Sequence, residues 1–141
     1  MKDGLPPQAW EILRERFGHD VLISLATAAQ GIPSVRTMNA YYENGCFYAI
    51  THAQSAKMRQ IAQNPIVAIA GDWFTAHGVA ESLGWFGAER NRGIALTLQA
   101  AFQQWIDNGH SDLQDENTVI LRVRLTDGVL FSHGTRYDLA F

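Results

Sequence analysis

The dipeptide Asn44-Gly45, set between two strand-like runs, constrains this chain more than any other feature. Asn and Gly both tolerate positive φ, which a two-residue hairpin turn demands at its centre. The flanking runs, residues 34–42 and 46–51, must then lie side by side and antiparallel. On the first run Val35, Thr37 and Asn39 face opposite to Arg36, Met38 and Ala40, because successive strand side chains alternate.

The rest of the chain extends this theme. Residues 21–28 read as a strand, with Gln30-Gly31-Ile32-Pro33 as the turn after it. Residues 66–70 and 74–83 read as two more, separated by Gly71-Asp72-Trp73, and 83–87 as a loop with aromatic anchors. From 118 to 125, Val119, Leu121, Val123 and Leu125 alternate with Thr118, Ile120, Arg122 and Arg124, a strand with one face more polar. Thr126-Asp127-Gly128 is expected to turn it into a last strand, 129–133. Three helices are expected. Pro7 suits a first helical turn, Trp10, Leu13 and Phe17 follow at helical spacing, and Gly18 closes that helix. A short helix starts at Ser55 and stops at Asn64-Pro65, since the residue before a proline avoids the α region. The longest runs over 89–106 with Ile94, Leu98, Ala101, Phe102 and Trp105 as its buried stripe. Asn108-Gly109-His110 ends it, and 111–117 is loop-like. Mostly antiparallel strands in hairpin order predict a mainly β fold, a small barrel with attached helices. With 141 residues, 47% of them hydrophobic, and no repeat or linker, residues 1–141 are expected to form a single domain.

Charge and cysteine usage exclude several classes. The net charge is -3 and the 11 Lys and Arg are scattered, so no basic field invites nucleic acid or a membrane surface. No apolar run is long enough to span a bilayer, and Met1 to Pro7 lacks the apolar core of a signal peptide; a cytoplasmic location is the expectation. The single cysteine, Cys46, cannot form an internal disulfide, and its place beside Phe47 on a strand suggests a buried small hydrophobe. The 5 histidines show no zinc-ligand spacing, so no metal site is expected. No Ser-His-Asp set, carboxylate pair, P-loop or dinucleotide glycine motif is present.

One stretch has its charges reversed. Ser55 is a good N-cap, yet Lys57 and Arg59 follow at the positive end of the helix dipole, with no Asp or Glu from Ser55 to Asn64. Cations there cost a few tenths of a kcal/mol, up to about 1. An anion over the helix start would reverse that sign; a solvated basic helix is the plain alternative. Arg36, mid-strand among apolar neighbours, needs a partner of its own, either a ligand or the carboxylate of Glu43 or Glu81.

The ordered series Val21-Leu22-Ile23-Ser24-Leu25-Ala26-Thr27, Gly31-Ile32-Pro33-Ser34-Val35-Arg36-Thr37-Met38, Phe47-Tyr48-Ala49-Ile50-Thr51, Ser55-Ala56-Lys57, Asn64-Pro65-Ile66-Val67-Ala68 and Gly78-Val79-Ala80-Glu81 resembles the pyridoxamine-phosphate-oxidase-like family of flavin-binding proteins. The resemblance covers roughly residues 20–83. It implies an antiparallel, Greek-key-like split β-barrel, with FMN held at the interface of a homodimer and a small-molecule substrate. It also implies a role for each matching position. Arg36 and Lys57 would pair with the FMN phosphate, with the Ser55 hydroxyl at the helix start and Thr51 near the phosphate or ribityl chain. The backbone of Thr37, Met38 and Asn39 would run along the isoalloxazine edge, and Trp73 would reach the flavin of the other subunit.

The C-terminal Trp and Arg motifs that hold the vitamin substrate in this family have no counterpart in Phe131 to Phe141, so the resemblance carries the cofactor and leaves the substrate open. His52 flanks the anion stretch, His77 lies within a strand, and His133 with Arg136 would suit an anionic substrate. The leading expectation is an FMN-dependent oxidoreductase. The alternatives are a non-catalytic flavin-binding or haem-binding module, and a cofactor-free dimer in which Arg36 pairs with a carboxylate and the tail fills the cleft.

Overall fold

Two-residue turns set the strand order of the computed structural model, which describes residues 6–106 and 112–141. Gln30-Gly31, Asn44-Gly45 and His133-Gly134 all take positive φ, between 51° and 82°. That pairing matches the twist of the strands they join. The first turn joins β1 (Val21–Ala29) to β2 (Ile32–Glu43), and the second joins β2 to β3 (Cys46–His52). Helix α2 (Ala56–Gln63) then leads to β4 (Ile66–Gly71) and β5 (Phe74–Trp85). The long strand β6 (Thr118–Ser132) and β7 (Thr135–Ala140) end the chain.

The sheet runs β3-β2-β1-β4-β5-β6-β7, and β3 also pairs with β6 from Cys46↔Arg124 to His52↔Thr118. Six strands thereby close into an antiparallel barrel, with β7 as an extension of β6. The barrel interior is apolar: Ile23, Leu25, Phe47, Val67, Ile69, Phe74, Leu121 and Val123 are all buried. Helix α1 (Pro7–Phe17) plugs the end near Ile23 and Gly71, where Phe17 packs edge-on against Phe47 at 5.6 Å. Helix α2 plugs the other end with Met58 and Ile61. A second apolar cluster lies outside the barrel, where Phe86, Ala95, Leu98, Phe102 and Ile106 cover Ile120.

Four expectations are corrected. Thr126-Asp127-Gly128 is no turn: β6 continues through it, and the skipped pairing between His77↔Asp127 and Gly78↔Leu125 makes Thr126 a β-bulge. The true turn is His133-Gly134, so the expected tail is strand β7. The single helix over 89–106 is a 3-10 turn (Glu89–Asn91), α3 (Arg92–Ala101) and α4 (Gln103–Ile106), broken at Phe102 with ψ of 18°. Strand β5 runs through Trp85, absorbing most of the expected loop, and Cys46 is half-buried, with burial pushing its thiol pKa up. The expected helix end at Asn108-Gly109-His110 lies outside the described residues.

Candidate functional site: a basic wedge where the barrel splits

Strands β2 and β3 pair only over Tyr41↔Tyr48, Tyr42↔Phe47 and Glu43↔Cys46. Beyond Tyr41 they diverge, β2 staying with β1 to Ile32 and β3 staying with β6 to His52. Among the described residues, the edge of β2 from Ile32 to Ala40 that faces away from β1 has no strand partner. Thr37, Met38 and Asn39 lie on this edge. Thr37 is exposed, Met38 packs on the core, and Asn39 donates to Asp20 Oδ1 at 2.9 Å. What they offer to the split is backbone.

Arg36 points to the inner side of β2, as the alternation requires. Its Nη1 donates to Leu25 O at 3.2 Å and Thr27 Oγ1 at 2.9 Å, and its Nη2 donates to Gln60 Oε1 at 2.9 Å. All three acceptors are neutral. Glu43 accepts from the Tyr41 hydroxyl and Glu81 pairs with Arg122 at 2.7 Å, so neither carboxylate neutralises Arg36. Residues 135–140 pair with β6, so the tail does not fill the split.

Lys57 meets Arg36 from α2. Ser55 caps that helix, its Oγ accepting from Met58 N–H at a long 3.4 Å. The Lys57 ammonium donates to Thr51 Oγ1 at 2.7 Å. Burial first, and the Arg36 charge second, push the Lys57 pKa below the ordinary lysine value; burial also lowers that of Arg36. Two partly desolvated cations thus share one wedge, with hydroxyls around them and no ion pair to either among the described residues. An anion with several acceptor oxygens is the chemical complement of this set.

The fold brings Arg36, Thr51, Ser55 and Lys57 together with the free edge at Thr37, Met38 and Asn39. Trp73 is not among them. It sits at the β4–β5 turn, and the register Ser24↔Ala70 puts that turn near the Val21 end of β1, whereas Arg36 reaches toward Thr27. His77 hydrogen-bonds Asp127 at 2.9 Å on the outer face, and His52 Nδ1 accepts from Gln54 N–H. Two residues escaped the sequence reading. Thr27, 2% exposed, is the polar member of the inward row Ile23, Leu25, Thr27, and Gln60 lies one helical turn past Lys57. A hydroxyl in an apolar row was the available signal.

The outer face of the barrel carries a trough of about 390 Å³ lined by Ser24, Ala26, Ala68, Ala70 and Thr75 beside His77 and Asp127. Leu22, Val35 and Ile66 are more than half exposed. No described helix is long and apolar enough to cross a membrane.

A family model described as pyridoxamine 5'-phosphate oxidase matches residues 10–129. No protein with a curated description matches the chain. The fold is similar to that of general stress protein 26 from Bacillus anthracis str. Sterne, with a TM-score of 0.68, 18% identity, and coverage of 92% of this chain and 97% of that one. It is also similar to a FAD-binding protein from Mesorhizobium loti, with a TM-score of 0.63, 18% identity, and coverage of 88% and 92%. A heme-binding protein from Mycobacterium smegmatis aligns with a TM-score of 0.64 and 14% identity, over 87% of this chain and 53% of its own.

Proposed function

This chain belongs to the pyridoxamine 5'-phosphate oxidase family, and from that premise we propose that it binds FMN and works as an oxidoreductase on a small molecule. The observation that carries the reading is the pair of cations, Arg36 and Lys57, with no ion pair to either among the described residues. Each would form charge-assisted hydrogen bonds to a phosphate, the Arg36 fork being suited to two oxygens at once. Thr51 and Ser55 add hydroxyls at the rim. The ring would then lie along the unpaired edge at Thr37, Met38 and Asn39, where N–H and C=O groups can meet its polar atoms.

When bound, FMN supplies the electron transfer, and the protein supplies position and electrostatics. That division fits a wedge without a nucleophile or an acid–base pair. The small-residue trough and the exposed Leu22, Val35 and Ile66 support a homodimer packed through the outer face, since an exposed apolar surface of this kind marks an interface. In such a dimer Trp73 would approach the partner's flavin, as the family resemblance implies. A cytoplasmic location goes with this reading.

The test is the visible spectrum of the purified protein together with titration of FMN into cofactor-free protein. Flavin bands and saturable binding that Arg36→Ala weakens support the proposal. A protein that neither carries nor takes up flavin rules it out, and a Soret band would favour the haem reading. Reduction by NADH or NADPH, followed by reoxidation faster than air by an added acceptor, separates an enzyme from a non-catalytic module. Light scattering with FMN present reads the dimer.

A further inference from the structure

At the Val21 end of the barrel, the Asp72-Trp73 turn meets the His133-Gly134 turn and the last turn of α1. Arg16 joins them. Its Nη1 donates to Asp72 O at 2.9 Å and to Phe131 O at 3.1 Å. Both acceptors are neutral carbonyls, and Asp72 offers its carbonyl instead of its carboxylate. No ion pair among the described residues includes Arg16, so its charge is held in place without being neutralised.

Beside it stands Trp73, 69% exposed, its ring edge-on to Phe131 at 6.3 Å and 69°. Its φ is +51°, a region that Cβ sterics penalise and that glycine occupies freely. A bulky aromatic at such a position, facing solvent, adds little to packing and a great deal of flat apolar surface. Arg136 lies over Phe131 at 5.8 Å and is neutralised by Asp138, so among the described residues of this corner Arg16, and not Arg136, is the cation without an ion pair. His133, Nδ1 against Ser132 Oγ at 3.1 Å, forms the remaining wall. The cavity measures about 400 Å³, within the range of roughly 300–1,000 Å³ for small-molecule sites.

We propose that Arg16, Trp73, Phe131 and His133 form a binding site for a small planar aromatic carboxylate. The ring stacks on the indole and the carboxylate takes the open side of the Arg16 fork, the geometry that a guanidinium matches best. His133 is placed to meet a polar substituent on the ring. The cation of this site, Arg16, lies apart from Arg36 and Lys57, whereas the proposed dimer would bring Trp73 near the partner's flavin, so binding is read both with and without FMN.

The experiment is calorimetric titration of the full-length protein, with and without FMN, using 2-naphthoate, benzoate, naphthyl phosphate, 2-naphthalenemethanol and acetate. Naphthoate and benzoate should saturate, with the uncharged alcohol and the ringless acetate weaker by at least about tenfold. Arg16→Gln should cost about tenfold or more in naphthoate affinity. Trp73→Gly should abolish binding while leaving Tm equal or higher, because glycine relieves the positive φ; a merely structural tryptophan would lose Tm instead. Equal binding of the alcohol, tighter binding of the phosphate than of the carboxylate when FMN already fills the Arg36 and Lys57 site, indifference to both substitutions, or no saturation below about 10 mM would overturn the proposal. So would a response seen only with FMN that follows Trp73 and ignores Arg16, which would assign the indole to the flavin.

Discussion

Burial, and after it the guanidinium of Arg36, push the Lys57 pKa down beside the split that opens where β2 and β3 stop pairing. Like charges are seldom brought together in a half-buried space unless something opposite completes them. Here the surrounding groups are Thr27, Thr51 and Gln60, all neutral. The arrangement therefore has a cost in the free protein that an anionic ligand would offset, and the two halves of that statement can be measured apart.

Replacing Lys57 with Met removes the repulsion and the desolvated charge while keeping the stem that packs in the wedge. FMN affinity should fall by ~1.5–3 kcal/mol, the range for hydrogen bonds to charged groups. The cofactor-free protein should melt at the same temperature or higher. Fluorescence titration and a thermal melt without FMN give the two numbers. Lowered Tm with unchanged affinity would make Lys57 a structural residue and not a phosphate ligand.

Gln60 accepts from Arg36 Nη2 at 2.9 Å and so fixes the direction of the guanidinium. Gln60→Leu keeps the helix and the volume but removes that acceptor. The expected result is a smaller loss of FMN affinity, ~0.5–1.5 kcal/mol, because the Arg36 charge stays in the wedge and only its aim is lost. A double substitution with Arg36→Ala should then add almost nothing, because residues in one network do not contribute independently. Additive losses would show that Gln60 acts without Arg36.

How far the sequence carried the fold depended on whether a signal was local. The Asn44-Gly45 turn and the shared face of Arg36, Met38 and Ala40 are written in a few consecutive residues, and both stand in the structure, which turns that face inward. Thr126-Asp127-Gly128 has the same turn-like composition, yet pairing with β5 on one side and β7 on the other holds it in a strand. Composition cannot distinguish a bulge from a turn when the deciding contacts lie tens of residues away. The His133-Gly134 turn was overlooked because histidine at positive φ is an uncommon choice. In the site, Arg36 and Lys57 stood out as charges in the wrong place. Thr27 and Gln60 did not, since their role exists only once β1 and α2 are packed together.

Gly78 shows how a family motif becomes a packing constraint. A Cβ at this position would stand 2.7 Å from Val123 Cγ1 and 2.9 Å from the Arg124 carbonyl oxygen, and the latter is strand backbone that cannot yield. The residue also borders the bulge opposite Thr126. Gly78→Ala should destabilise the protein by about 1–3 kcal/mol, the usual cost of forcing atoms into a packed interior. Denaturant unfolding checks it. Stability unchanged within a few tenths would mean that β5 and β6 can separate here without loss.

The pH dependence follows from the direction of the Lys57 shift. Its folded pKa lies below the ordinary 10.5, so between those two values the unfolded chain holds more protons than the folded one. Stability of the cofactor-free protein should therefore rise with pH through that window and level off above it. A bound phosphate, doubly ionised at alkaline pH, favours the charged ammonium and draws the Lys57 pKa back up. FMN binding then takes up a proton, and its affinity should fall over the same window in which the free protein gains stability. The two curves run in opposite directions, which few other groups would produce. Tyr41 and Tyr48, whose pKa values burial raises, titrate on the alkaline side as well, so the comparison needs the Lys57→Met protein. That variant should show neither trend. If it retains the decline in FMN affinity, the proton belongs to another group, and Lys57 does not face the phosphate.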